Sequence, residues 1–270
     1  MTEKQTPLPD LSGVVDVFVE AALAAGAAIL QFWRKGAPVR SKADGSPVTQ
    51  ADLAANSVIL ERLSRALPAI PVVSEEAEQP AAARGADAFI LVDPLDGTKE
   101  FIHGTEEFTV NIALIHLGKP ICGVVFAPAM GRIWTGCATR ARSGALAIGA
   151  TDPATIAWSE IGCRAAPEKP VAVVSRSHLD QETKDWLARN KCGGAAPSGS
   201  SIKFCLVAEG AADVYPRFGR TMEWDTAAGD AVLRAAGGRT ETIEGAAFIY
   251  GKGEDGYANP GFVAKGARGG

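Results

Sequence analysis

Residues 89–98 read Phe-Ile-Leu-Val-Asp-Pro-Leu-Asp-Gly-Thr, and the fold is decided by the order of these side chains. The apolar run Phe89 to Val92 has the length of a strand and asks for burial on both faces, yet it stops abruptly at two carboxylates three positions apart. Pro94 withholds a backbone donor and fixes φ, while Gly97 admits a backbone conformation and a close approach that a side chain would forbid. A buried strand that ends in a rigid acidic turn fits an α/β protein with its chemistry at strand ends. A helix opening at Thr98 would turn the N–H groups of Gly97 and Thr98 toward an anion, directly beside acidic groups that suit a cation. Mg²⁺ prefers octahedral oxygen ligands, so Asp93 and Asp96 could supply part of the shells of two ions, and further carboxylates are then required.

Outward from this turn the same logic repeats. Val72 to Val73, Thr109 to Ile115 and Ile121 to Phe126 are further strand-length runs, the last two joined by a turn at Gly118, Lys119 and Pro120. Leu11, Val14, Val15, Phe18, Ala22, Ala25, Ile29 and Phe32 follow helical spacing and predict a helix over 11–33, ended by Gly36 and Pro38. A second helix is expected from Thr49 through Leu53, Leu60 and Leu63 to Leu67, before Pro68. Later, Val171 to Val174 and Ala212 to Tyr215 read as strands that alternate with helices over 202–209 and 226–236. The expected organisation is a layered α/β sandwich, with an N-terminal α+β half over 1–150 packed on a C-terminal α/β half over 151–270. The glycine- and alanine-rich stretch 142–156 marks the boundary, and the tail after Phe262 is expected to lack regular structure.

Composition narrows the function classes. The chain has 270 residues, 47% hydrophobic and 21% charged, enough to bury a substantial core. A net charge of -4 offers no general attraction for nucleic acid or anionic membrane, and no basic, aromatic-studded stripe provides a track for long nucleic acid. A phosphate-bearing ligand must therefore be held locally. The five cysteines, Cys122, Cys137, Cys163, Cys192 and Cys205, are odd in number with no C-x-x-C, and read as unpaired thiols of a reducing compartment. No uninterrupted run approaches the roughly 18 apolar residues of a membrane span, and the N-terminus lacks a signal pattern, so a cytoplasmic protein is expected.

The further acidic candidates are Glu75, just after the Val72 strand, and Asp225, in Glu223-Trp224-Asp225-Thr226. Each has a plain alternative: a helix N-cap for Asp225, Asx turns for Asp93 and Asp96, a solvated pair for Glu75 with Glu76, and a capping box with Thr49 for Asp52. Taken one at a time, these residues do not decide between chemistry and local structure.

Taken together they do. SKADGSPVTQAD from Ser41, VVSEE from Val72, LVDPLDGTKEFI from Leu91, EFTVNIALI from Glu107, SRSH from Ser175, GSSIKFCLVAEG from Gly199 and WDTAAGD from Trp224 span most of the chain. In these segments it resembles the inositol monophosphatase superfamily, and within it the 3'(2'),5'-bisphosphate nucleotidases of the CysQ type. The resemblance implies an αβαβα sandwich and two catalytic Mg²⁺, with a third near Glu75 and Glu76 left open. By the same match Glu75, Asp93, the Leu95 carbonyl, Asp96 and Asp225 would be metal ligands, Asp93 bridging. Catalysis would rest on Glu75 and on Thr98 held by Asp52. Substrate would meet Glu75, Leu95, Asp96, Gly97, Thr98, Ser175, His178, Gly199, Lys203 and Asp225, with Lys203 or Arg217 reaching a second phosphate. The implied reaction removes the 3'-phosphate of adenosine 3',5'-bisphosphate, in sulfate assimilation and nucleotide recycling, with inhibition by lithium. Inositol monophosphate or fructose 1,6-bisphosphate hydrolysis, and a catalytically inactive nucleotide sensor, are the competing readings. Asp230 stands where the CysQ pattern commonly has histidine, which leaves the contacts of that helix open; oligomeric state and peripheral contact with the inner membrane are also left open.

Overall fold

Alternate side chains of the Phe89 run enter two different cores. A computed structural model describes residues 8–35, 39–41, 47–78, 80–176 and 179–267. Its N-terminal elements are α1 (Leu11–Leu30), β1 (Val39–Ser41), β2 (Pro47–Thr49), α2 (Gln50–Ala66), β3 (Val72–Ser74), β4 (Ala88–Asp96), α3 (Thr98–Ile102), β5 (Thr109–His116), β6 (Lys119–Ala127), β7 (Arg132–Cys137), β8 (Arg140–Ala145) and β9 (Ala157–Glu160). Then follow β10 (Val171–Ser175), α4 (Gln181–Arg189), β11 (Gly194–Ser198), α5 (Ile202–Ala208), β12 (Val214–Arg217), α6 (Glu223–Ala235), β13 (Arg239–Thr242) and β14 (Phe262–Lys265).

Strands β3 to β9 form one seven-stranded sheet in chain order, antiparallel except for the parallel pair β3 and β4. The second sheet has five strands in the order β11-β10-β12-β14-β13. Ile90 and Val92 point into a core shared with Phe18, Leu23 and Ile29 of α1 and with Ile59 and Leu63 of α2. Phe89 and Leu91 point the other way, into a core shared with Phe204 of α5, Val232 of α6, and Tyr215 and Phe262 of the second sheet. Trp186 and Leu187 of α4 cover the far side of that sheet against Ala172, Val214 and Val263. The layers are therefore helix, sheet, helix, sheet, helix, and period-2 alternation with both faces buried explains why β4 reads as a continuous apolar run.

Several expectations are corrected. The β5–β6 hairpin turns at Leu117 (φ 49°) and Gly118 (φ 72°), a two-residue turn with both central φ positive, and Lys119 and Pro120 already belong to β6. The first part of the tail is regular: Phe262–Lys265 pairs with both β12 and β13, because buried Phe262, Val263 and Ala264 have the pattern of a short interior strand, while residues 268–270 lie outside the described residues. Strand β8 runs into the stretch taken as weakly patterned and β9 follows directly after it, so the first sheet ends only at Glu160. Cys122 and Cys137, expected to be unpaired, are cross-strand partners on β6 and β7 whose sulfurs are joined as a disulfide, at a Cα separation of 4.3 Å. Helix α1, with a mean hydropathy of 1.9, is long and apolar enough to cross a membrane; its apolar side chains instead pack into the first core.

The central helix α6 lies so close to the first sheet that only glycine fits beneath it. A Cβ on Gly136 would come within 2.4 Å of the Val232 Cα, and one on Gly123 within 2.8 Å of the Ala228 carbonyl. Gly136→Val is expected to destabilise the protein by about 3 kcal/mol, the cost of overpacking against backbone that cannot move aside. Gly194→Ala, where an added Cβ meets nothing within 4 Å, should be close to neutral, and urea titration of the two variants checks both expectations.

Candidate active site

The acidic turn is held by its own backbone. Asp93 is almost fully buried, and its Oδ1 accepts the Leu95 N–H at 3.0 Å. The β4–β5 register slips between Asp93 and Asp96, where Pro94 offers no N–H, so the strand bends away and the two carboxylates separate. Gly97 follows at φ 92°, with Glu107 O only 3.2 Å from where a Cβ would stand. Glu75 follows β3, and its N–H bonds to the Val92 carbonyl at 3.1 Å, so the parallel pairing sets it beside Asp93, to which its side chain is hydrogen-bonded.

Asp52 and Asp225 arrive by one shared device. Each is the third residue of a long helix and reaches back to accept the N-cap backbone N–H, closing a full capping box with Thr49 at α2 and its carboxylate half alone behind Met222 at α6. Asp52 Oδ2 accepts the Thr49 N–H at 2.8 Å and the Thr49 hydroxyl at 2.6 Å, while its Oδ1 accepts the Thr98 hydroxyl at 3.3 Å. The capping reading of Asp52 and the functional one thus hold together, one on each oxygen. Asp225 Oδ2 accepts the Met222 N–H at 2.7 Å. Because α6 begins at Glu223, Asp225 sits inside the first turn and is not the N-cap itself. The Thr98 hydroxyl also lies 3.3 Å from the Leu95 carbonyl.

The C-terminal half supplies the partners of Asp96. Its Oδ2 accepts the Ser200 hydroxyl at 2.5 Å and the Ser201 N–H at 2.8 Å, with Asn111 Nδ2 at 3.5 Å. Ser201 donates in turn to Asn111 Oδ1 at 2.6 Å, and the Thr109 hydroxyl touches those of Ser200 and Ser201. Across the same seam Arg176 grips Glu107 with bonds of 2.8 and 2.9 Å, and Glu107 accepts the Gly199 N–H at 2.9 Å. Ser200, Ser201, Asn111 and Glu107 went unread in the sequence as site residues. Their only signal was membership of segments singled out as whole motifs.

These groups surround a cavity of about 680 Å³, lined by Glu75, Asp96, Thr98, Ser175, Gly199 and Asp225 among others, with Asp93 beneath. His178 lies outside the described residues. Lys203 reaches the cavity wall, but it is buried, and its Nζ donates to the carbonyls of Ser198 (3.2 Å) and Ser200 (2.5 Å). Arg217, Arg220 and Lys99 add positive charge to the same wall. Asp230 is not part of the lining: fully buried, it accepts from Arg234, the Thr240 hydroxyl and Tyr250 OH. Its added negative charge is met inside the core.

Burial, then repulsion from Glu75, Asp96 and Asp225, drives the Asp93 carboxyl far above its ordinary range. Burial and the nearby Asp96 push Asp225 up to about 8. Burial also raises Asp96, against the opposing pull of Ser200, Lys203 and Ser201, and lowers Lys203 to about 8. Among the described residues no three acidic, histidine or cysteine side chains close a ready-made metal cage. The donor set is nevertheless of one kind, with several mutually repelling carboxylates around one space and, among the described residues of the lining, no thiolate or imidazole. Such a set fits a hard, oxygen-seeking divalent cation.

Residues 10–267 match the family model described as the inositol monophosphatase family. The chain belongs to this family. Inositol monophosphatase family relatives include the 3'(2'),5'-bisphosphate nucleotidase CysQ of Escherichia coli O157:H7, 45% identical over 92% of this chain and 98% of the relative. The same-named protein of Buchnera aphidicola is 39% identical over 93% of each chain. Among solved structures, CysQ from Bacteroides thetaiotaomicron superposes with a TM-score of 0.82 at 38% identity, covering 97% of this chain and all of that one. An inositol monophosphatase of Thermotoga maritima, at 21% identity and a TM-score of 0.74, shares the family fold.

The raised carboxyls carry a signed consequence. A folded-state pKa above the unfolded value means that the folded protein holds more protons through that interval, so stability falls as pH rises across it. For Asp225 the interval runs from 3.8 to about 8. Metal-free protein should therefore lose melting temperature steadily from pH 5 to pH 8, and added Mg²⁺ should restore more at pH 8 than at pH 5. Differential scanning fluorimetry with EDTA or MgCl₂ across that range checks both halves of the expectation.

Proposed function

We propose that the chain is a Mg²⁺-dependent 3'(2'),5'-bisphosphate nucleotidase that releases the 3'-phosphate of adenosine 3',5'-bisphosphate, giving AMP and inorganic phosphate. The observation that carries this reading is the convergence of Glu75, Asp93, Asp96 and Asp225 with the bonded Thr98–Asp52 pair on a cavity that also has a cationic wall. Glu75, Asp93, the Leu95 carbonyl, Asp96 and Asp225 would hold two Mg²⁺. When bound, these ions clamp the attacking and leaving oxygens of a phosphoryl displacement and make hydroxide available near neutral pH.

The chain's own groups divide the remaining work. Thr98 donates its hydroxyl hydrogen bond to Asp52 Oδ1, which leaves its oxygen lone pair free to accept from an attacking water and aim it along the line of the scissile bond. Water forms the new P–O bond and releases one proton to solvent, and the old bond breaks with its electron pair leaving on the ribose oxygen, which takes up a proton from solvent. Carboxylates from both halves would fix the cations in one space, and the phosphate would take its seat from their charge. The second phosphate, out of reach of the acidic cluster, would meet Arg217 and Lys203.

The bonded Thr98–Asp52 pair favours catalysis over a purely sensing role, since binding alone needs no group to orient water. The cationic wall favours a bisphosphate over inositol monophosphate. A phosphate-release assay across adenosine 3',5'-bisphosphate, inositol monophosphate and fructose 1,6-bisphosphate is the direct test; preference for either of the last two would overturn the substrate assignment.

Asp93→Asn and Asp225→Asn should each nearly abolish turnover while the circular dichroism spectrum stays that of a folded protein. Arg217→Ala should lower kcat/KM for the bisphosphate by roughly ten- to hundredfold, the worth of one charge-assisted bond, and spare a simple monophosphate ester. Equal losses on both substrates would show that Arg217 serves stability instead. LiCl should inhibit where equimolar NaCl does not, because Li⁺ is close to Mg²⁺ in size but carries half its charge.

A further inference from the structure

Glu223, two residues before Asp225, has a side chain with no exposure to solvent. It faces away from the cavity lining and is fully engaged: it accepts the N–H groups of Gly251 at 2.8 Å and Lys252 at 2.9 Å, and forms an ion pair with Lys252 Nζ at 2.7 Å. Its own backbone N–H donates to the Tyr257 carbonyl at 2.9 Å, and Met222 pairs with Ala258 in an isolated antiparallel bridge. From the other side Asn259 Nδ2 donates to the Met222 carbonyl at 2.7 Å and lies 3.1 Å from the Thr226 hydroxyl. Segment 251–259 thus wraps the first turn of α6 and binds it before Asp225, at Met222 and Glu223, and after it, at Thr226.

Of these bonds only the one to Thr226 reaches a residue of the cavity lining, and a helix start does not require a buried ion pair. Asp225 itself already satisfies the Met222 N–H at this end, and removing one partner of a buried pair leaves a charge that nothing compensates. We infer that Glu223 and Asn259 are positioning residues that fix, through segment 251–259, where Asp225 presents its carboxylate to the metal cluster. The inference rests on the reading of Asp225 as a metal ligand. The physical logic is that of groups behind a ligand, which set its direction without touching the ion. Asp225 is the one acidic group of the cluster that comes from the C-terminal half, so its place depends on how α6 is held.

The test is calorimetric titration of Mg²⁺ into full-length, substrate-free protein, comparing the native chain with Glu223→Gln, Asn259→Ala and Asp225→Asn. Glutamine keeps the shape and loses the charge; Asn259→Ala works from the opposite side of the turn and carries the test if the first variant does not fold. The expected result is that Asp225→Asn removes one class of Mg²⁺ site, and that each positioning variant weakens that same class roughly tenfold while leaving the other unchanged. A superimposable Mg²⁺ isotherm in a variant that only melts earlier overturns the inference and leaves Glu223 a stability residue. An unchanged isotherm in Asp225→Asn overturns the metal reading itself, and the inference with it.

Discussion

Burying several like charges in one place is the constraint on which the rest of this structure depends. Carboxylates crowded away from water repel one another and lose hydration, so the fold must hold each in place with bonds of its own. It does so in the same way four times. Asp52, Asp93, Asp96 and Asp225 each give one oxygen to a backbone N–H, from Thr49, Leu95, Ser201 and Met222 respectively. The carboxylates are thereby tied to the main chain and not merely to neighbouring side chains, which limits how far mutual repulsion can spread them.

That arrangement explains why the site lies between two sheets. Asp93, Asp96 and Glu75 come from strand ends of the first sheet, Asp52 from α2, and Asp225 from α6, which is packed between the sheets. The loop 198–201 crosses from the second sheet to grip Asp96, and the Glu107–Arg176 pair locks the same loop from outside. Lys203, buried beneath, donates to two carbonyls of that loop. Its charge therefore acts on Asp96 as well as on any ligand, which joins substrate recognition and metal-site geometry in one short segment.

Close packing is the second requirement. Helix α6 can present Asp225 only because Gly123 and Gly136 let it lie against the first sheet, and because Asp230 finds Arg234, Thr240 and Tyr250 inside the core. A carboxylate that looked in the sequence like a disturbance of the site is instead neutralised away from it. Small residues on the sheet and a satisfied polar network on the helix serve one end, the exact height of α6 above the strands.

Much of this was legible from residues 89–98 alone, because period-2 burial, a proline without a donor and a glycine at positive φ are local properties that a short sequence states directly. The apolar faces of α1 and α2 were legible for the same reason, whereas the acidic residues singly read equally well as caps and turns and were put together only by the motifs that the chain shares with its family. The short strands β7 to β9 and β14 were not, since a four- to six-residue strand in glycine- and alanine-rich sequence has no pattern apart from the neighbours it pairs with. Nor could the sequence show that Cys122 and Cys137 face each other, that Asp96 is held by Ser200 and Ser201 more than a hundred positions away, or that Lys203 spends its ammonium on backbone carbonyls. The sequence by itself determined which groups could do the chemistry; only the tertiary structure decided which oxygen of each carboxylate faces the cavity, because hydrogen bonds between distant segments are set by packing and leave no periodic trace along the chain.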